Sequence, residues 1–167
     1  MINKTQRITT LGIFTSLAMV LSYIELLLPP VWPAVPGVKI GLPNIIIIFL
    51  LYRVSVSAAI TVSLIRLCLT ALLFGTAMIF VYSLAGAVLS ICIMIILKKT
   101  DIFSMVGVSI AGGVFHNLGQ ILAAMIILQT KEIGYYMIFL AVSGILAGVF
   151  VGLCGMLLIK YTKKIKF

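Results

Sequence analysis

The stretch Ser109–Leu128, SIAGGVFHNLGQILAAMIIL, constrains the chain more than any other. It is long enough and apolar enough to cross a bilayer as one helix. Near its middle it nevertheless carries His116, Asn117 and Gln120, and His116 is the only histidine in the protein. A helix turns once every ~3.6 residues, so His116 and Gln120 stack on one face with Asn117 beside them. Lipid offers such side chains no hydrogen-bond partner, so they must meet other helices or line a hydrated cavity. Gly112, Gly113 and Gly119 on the same helix let its neighbours come close.

Composition extends this reading to the whole chain. Of 167 residues, 63% are hydrophobic and only 9% charged, more apolar surface than a soluble domain of this size can bury. The apolar runs are long and continuous rather than short and alternating, so the expected class is an all-α integral membrane protein and not a barrel. In that setting the net charge of +9 reads as a positive-inside signal and contact with anionic membrane lipid, not as nucleic-acid binding. Cys68, Cys92 and Cys154 stand singly in apolar runs and read as small buried residues. One histidine without adjacent cysteine or carboxylate falls short of a metal ligand set, and no cofactor is implied. The start, MINKTQR followed by an apolar run, resembles a secretory signal. The run is too long for one and no small-residue cleavage site follows, so a retained first helix is expected.

Six helices are expected in a single membrane domain spanning residues 1–167, at about 8–28, 42–52, 55–74, 77–97, 104–128 and 135–159. The second is too short to span alone at ~1.5 Å per residue, and is expected to be half-buried, tilted or preceded by irregular backbone. Between the first two helices lies VWPAVPGVK, stiffened by prolines and carrying Trp32 and Lys39. With the N-terminus inside, Lys4, Arg7, Arg53, Lys98, Lys99, Lys160, Lys163, Lys164 and Lys166 collect on the cytoplasmic side, against Lys39 and Lys131 outside. Both termini are therefore expected in the cytoplasm.

The buried polar residues sort by depth. Glu25, Asn44, Arg66, Tyr82, Ser83, His116, Asn117 and Gln120 fall at the middle or in the outer half of their helices, and the inner half has almost nothing comparable. This predicts an outward pocket beneath the Trp32 loop. Arg66 opposes insertion by roughly 2.5–3.5 kcal/mol on translocon scales. Three readings fit it: an anionic or carbonyl-bearing ligand, a structural ion pair with Glu25, or snorkelling to the outer surface. His116, Asn117 and Gln120 likewise fit ligand contact or interhelical bonding. Gly144, Gly148 and Gly152 form a small-residue ladder that packs either within the bundle or against another subunit.

Absences narrow the chemistry. There is no Walker A sequence, so the chain cannot power transport alone. No DDxxD-type carboxylate pair is present to hold magnesium for prenyl diphosphate chemistry. The acids cannot build a Ser-His-Asp arrangement around His116. A non-enzymatic role is expected.

LSYIE with the following prolines (Leu21–Pro30), PGVKIGLPN (Pro36–Asn44), LLFG after Arg66 (Leu72–Gly75), YSLAG (Tyr82–Gly86) and HNLGQ (His116–Gln120) together resemble the Gx transporter family of small bacterial membrane proteins. That family is also labelled heptaprenyl diphosphate synthase component I. It looks like the substrate-binding (S) components of energy-coupling factor transporters, multi-pass proteins of the bacterial cytoplasmic membrane. The resemblance implies a six-helix vitamin-type binder whose outward pocket is roofed by the loop after helix 1. It also implies an energy-coupling partner, a transmembrane T component with two ATPases, docked at Gly12, Ser16 and Ala18. The substrate would be a small redox-related, vitamin-like or isoprenoid/quinone-precursor molecule. Its contacts would be Trp32, Lys39, Asn44, Arg66, Tyr82, Ser83, His116, Asn117 and Gln120. Two alternatives remain: a non-catalytic subunit beside a prenyltransferase, and a membrane anchor beside a flavoprotein in extracellular electron transfer.

Overall fold

Residues 4–28 and 40–164 are described by the structure, a computed structural model. They form six α-helices: α1 (Lys4–Leu27), α2 (Asn44–Arg53), α3 (Val56–Phe74), α4 (Ala77–Thr100), α5 (Met105–Leu128) and α6 (Met137–Tyr161). A 3₁₀ turn (Lys131–Tyr136) precedes α6. All but α2 are long and apolar enough to cross a membrane. No strand occurs among the described residues, so the fold is an all-α membrane bundle.

Local chemistry sets several boundaries. Ser55, Thr76 and Ser104 each accept a backbone N–H from three residues on (Ala58 at 3.1 Å, Ile79 at 3.3 Å, Gly107 at 3.2 Å), capping α3, α4 and α5. At their C-terminal ends α4 and α5 stop at left-handed residues, Asp101 and Gln129. The polar turn from Lys4 to Arg7 is already helical, so α1 starts before the apolar run does.

Helix α2 is the centre of the bundle rather than a half-buried edge. Seven consecutive residues, Ile45 to Leu51, are buried, and between Asn44 at its start and Tyr52 and Arg53 at its end NIIIIFLLYR has no polar residue. A helix apolar all round is stable only when surrounded. Helices α1, α3 and α6 all pack on it. Its start is irregular, as its length suggested. Gly41 has a left-handed backbone (φ 81°), which glycine adopts without steric cost, and Pro43 occupies the N-cap, where its missing N–H costs nothing.

Helices α4, α5 and α6 pack through glycine. A Cβ at Gly148 would lie 2.5 Å from Ile110 Cα, one at Gly152 2.8 Å from Val106 Cα, and one at Gly144 2.9 Å from the Gly113 carbonyl carbon. The ladder on α6 therefore faces α5 of its own chain at backbone-to-backbone distance. On the other side of α5, a Cβ at Gly86 would meet the His116 carbonyl at 2.7 Å.

One end of the bundle gathers cations. Arg7 donates to Ser57 Oγ at 3.3 Å, Arg53 to the Lys163 carbonyl at 3.1 Å, and Lys98 to the Leu51 carbonyl. These bonds tie α1 to α3, α2 to the turn after α6 and α4 to α2 at what is here called the basic end.

Candidate functional site

Helix α2 ends at the basic end and is ~15 Å long, against ~28 Å for α3 beside it, at ~1.5 Å per residue. Its first residue therefore lies well inside the bundle. Around and beyond it lies a cavity of about 120 Å³. A cavity on the order of 150 Å³ accepts benzene, so the space suits a compact molecule or the polar head of a larger one.

Helical periodicity decides which side chains reach it. From α5 come Ser109, Gly112, Gly113, His116, Asn117 and Gln120, spaced by three and four residues along one face. Ser83, Ser90 and Met94 of α4 follow the same rule, as do Gly144, Ala147, Gly148 and Val151 of α6. Ser22 and Glu25 of α1, Arg66 and Thr70 of α3, and Gly41 and Asn44 complete the polar part of the wall.

Arg66 is the main charge. It is 8% exposed; Nη1 donates to Ser22 Oγ at 3.4 Å, while Nε is buried with no partner among the described residues. Ser22 in turn donates to the Ala18 carbonyl at 2.9 Å, which directs its lone pairs at the guanidinium. Glu25 is close enough to act on Arg66 electrostatically, but the two form no direct ion pair among the described residues. Instead one Glu25 oxygen accepts the Gly41 amide.

The polar residues of α5 divide in role. Asn117 Nδ2 donates to the Leu140 carbonyl at 2.7 Å and to Ser143 Oγ at 3.3 Å, so its amide is committed to α6. His116 and Gln120 line the cavity and pack across Gly86 of α4. Asn44 lines the cavity as the first residue of α2, and its backbone N–H is already bonded to the Gly41 carbonyl at 2.9 Å.

Some sequence expectations are met differently. Tyr82 is half-buried but does not line the cavity, whereas Ser83 does. Successive residues point ~100° apart on a helix, and the wall takes Ser83 with Ser90. Ala18 is fully buried in the core, while Gly12 and Ser16 are exposed. Six residues from Gly12 is a turn of ~240°, so the three do not share a surface. Trp32 and Lys39 lie outside the described residues. The polar wall also runs further towards the basic end than the depth argument allowed, through Ser90 and Ser109. Ser22, Thr70, Ser90 and Ser109 were not singled out from the sequence. Their spacing was the available signal: Ser22 is three residues before Glu25, Ser90 seven after Ser83, and Ser109 seven before His116.

The sequence model of one family, heptaprenyl diphosphate synthase component I, matches residues 14–158, which takes in every described cavity residue. The chain belongs to that family. No curated protein and no solved structure matches it. The family's name describes one component of a synthase. The acids that diphosphate chemistry would need are sparse in this member. Its three are Glu25 in α1, Asp101 between α4 and α5, and Glu132 in the 3₁₀ turn.

Proposed function

We propose that this chain is a membrane-embedded solute-binding subunit, similar in plan to the S components of energy-coupling factor transporters. The single observation that carries this reading is the polar cavity around buried Arg66, inside a bundle whose other buried residues are mostly apolar, Thr15 and Ser63 apart. A buried guanidinium with an unsatisfied Nε is costly unless a partner arrives. A small anionic or carbonyl-bearing molecule supplies one. Arg66, His116, Gln120, Asn44 and Ser83 would hold it, with Asn117 fixing the α5–α6 wall.

In this reading the basic end faces the cytoplasm of a bacterium, with both termini there, in keeping with the clustering of Arg7, Arg53, Lys98 and Lys163. Energy would come from a T component with two ATPases, docked in part at the exposed Gly12 and Ser16. The ligand would be vitamin-like, redox-related or the head of a quinone precursor. A whole heptaprenyl tail, seven isoprene units, far exceeds a cavity of about 120 Å³.

The family description favours a second reading: a non-catalytic membrane component that accompanies a prenyl diphosphate synthase. Affinity purification of the tagged protein from its native host in mild detergent, with partners identified by mass spectrometry, separates the two. Recovery of a T component and paired ATPases is the expected result. Recovery of a prenyltransferase or a flavoprotein with no ATPase would sink the transporter reading.

A further inference from the structure

The cavity wall holds two full charges of opposite sign on different helices: Arg66 on α3 and Glu25 on α1. They do not neutralise each other by direct contact. Arg66 bonds to Ser22 and keeps a bare Nε; Glu25 bonds the Gly41 amide through one oxygen. Each charge is thus anchored by its own neighbour and both border the same space. The third titratable group on the described wall is His116.

From this arrangement we infer that the cavity selects a dipolar ligand, one bearing an anionic carboxylate or phosphate for Arg66 and a cationic amine-type group for Glu25. The inference rests on the solute-binding reading above and narrows its ligand class. Its physical basis is neutrality. Arg66 and Glu25 together carry no net charge. A bare anion entering it pairs with Arg66 but leaves one negative charge uncompensated, beside Glu25, where low polarity makes like-charge repulsion strong. A bare cation leaves the mirror problem at Arg66. A zwitterion satisfies both groups and keeps the filled cavity neutral. Planar, multi-donor guanidinium is suited to carboxylate or phosphate, and a carboxylate with one oxygen already held is an oriented acceptor. The available volume favours a compact zwitterion of amino-acid type over a large one.

The test uses the full-length protein immobilised in mild detergent and, as probe, the total small-molecule extract of native host cells. Retained compounds are identified by mass spectrometry for wild type, Glu25→Gln, Arg66→Gln, Arg66→Lys and the Glu25→Gln/Arg66→Gln double variant. Glutamine at position 25 keeps an oxygen for the Gly41 amide while removing the charge, so the wall stays built. The expected result is retention of compounds carrying both an acidic and a basic group. Glu25→Gln and Arg66→Gln should each lower that retention about tenfold or more, and Arg66→Lys less than Arg66→Gln. If the retained compounds are purely anionic and Glu25→Gln holds them as well or better, the dipolar inference fails and the solute-binding reading survives. Retention of only uncharged or purely cationic compounds also overturns it. If wild type retains nothing beyond the double variant, both fall. Should Arg66→Gln not elute as a monodisperse species, the Glu25→Gln arm and the chemistry of the retained compounds still decide.

Discussion

Asn117 on α5 donates its side-chain amide to the Leu140 carbonyl of α6 at 2.7 Å, closing the cavity wall with a bond between two glycine-packed helices. Interhelical bonds of this kind average about 0.6 kcal/mol and reach about 1.7 in a measured membrane protein. Asn117→Ala is expected to lower bundle stability by about that range in reversible detergent unfolding. Asn117→Asp should cost more, because a carboxylate faces two oxygens that can no longer receive a hydrogen. Equal stability for the two variants would contradict this geometry.

The glycine ladder makes a second, paired prediction. Gly148→Ala puts a methyl group 2.5 Å from Ile110 Cα, against backbone that cannot rotate away. A loss of about 1–3 kcal/mol is expected from such overpacking. Gly12→Ala meets nothing within 4 Å and should stay within about 0.5 kcal/mol of wild type. Unfolding curves of the two variants check both figures. A neutral Gly148→Ala would mean that α5 and α6 stand further apart.

Arg66 should govern how readily α3 enters a membrane. In a translocon insertion assay on the isolated segment Val56–Phe74, Arg66→Leu is expected to favour insertion by roughly 3 kcal/mol. In the whole protein the same change leaves Glu25 without its opposite charge. Its benefit there should therefore be smaller, and ligand retention should be lost.

The charge distribution predicts topology. In a variant lacking Cys68, Cys92 and Cys154, a cysteine placed at Lys131 should react with an impermeant thiol reagent added outside intact cells. One placed at Lys163 should react only after permeabilisation. The opposite pattern would invert the bundle and aim the cavity at the cytoplasm.

Much of this architecture can be read from residue order, because bilayer length and capping chemistry are local. The long helices follow from unbroken apolar runs, and Ser55, Thr76 and Ser104 mark three starts by their hydroxyls. The α5 face from Ser109 to Gln120 follows from helical spacing alone. Other features depend on what lies opposite. The length of α2 against the bilayer suggests a half-buried, tilted or irregularly started helix, whereas its full burial comes from the helices around it. Buried serines were hard to single out, since a hydroxyl such as that of Ser22 satisfies itself on the preceding turn and fits cavity and lipid alike. The separate anchoring of Glu25 and Arg66 depends on Gly41 meeting Glu25 and Ser22 meeting Arg66, contacts between distant segments that no spacing rule connects.

The burial of α2 has a consequence for biosynthesis. Made early, it is too short to serve as a span of its own, yet its lasting neighbours include α6, which is made only after α3, α4 and α5. Ile48 of α2 sits where any side chain on Gly155 would be, so α2 is fitted to a helix separated from it by α3, α4 and α5. The bundle cannot reach its final form during synthesis of its first half. Truncation before Met137 should therefore leave α2 uncovered and make the nascent protein a target for quality control, even with four of its five long helices complete.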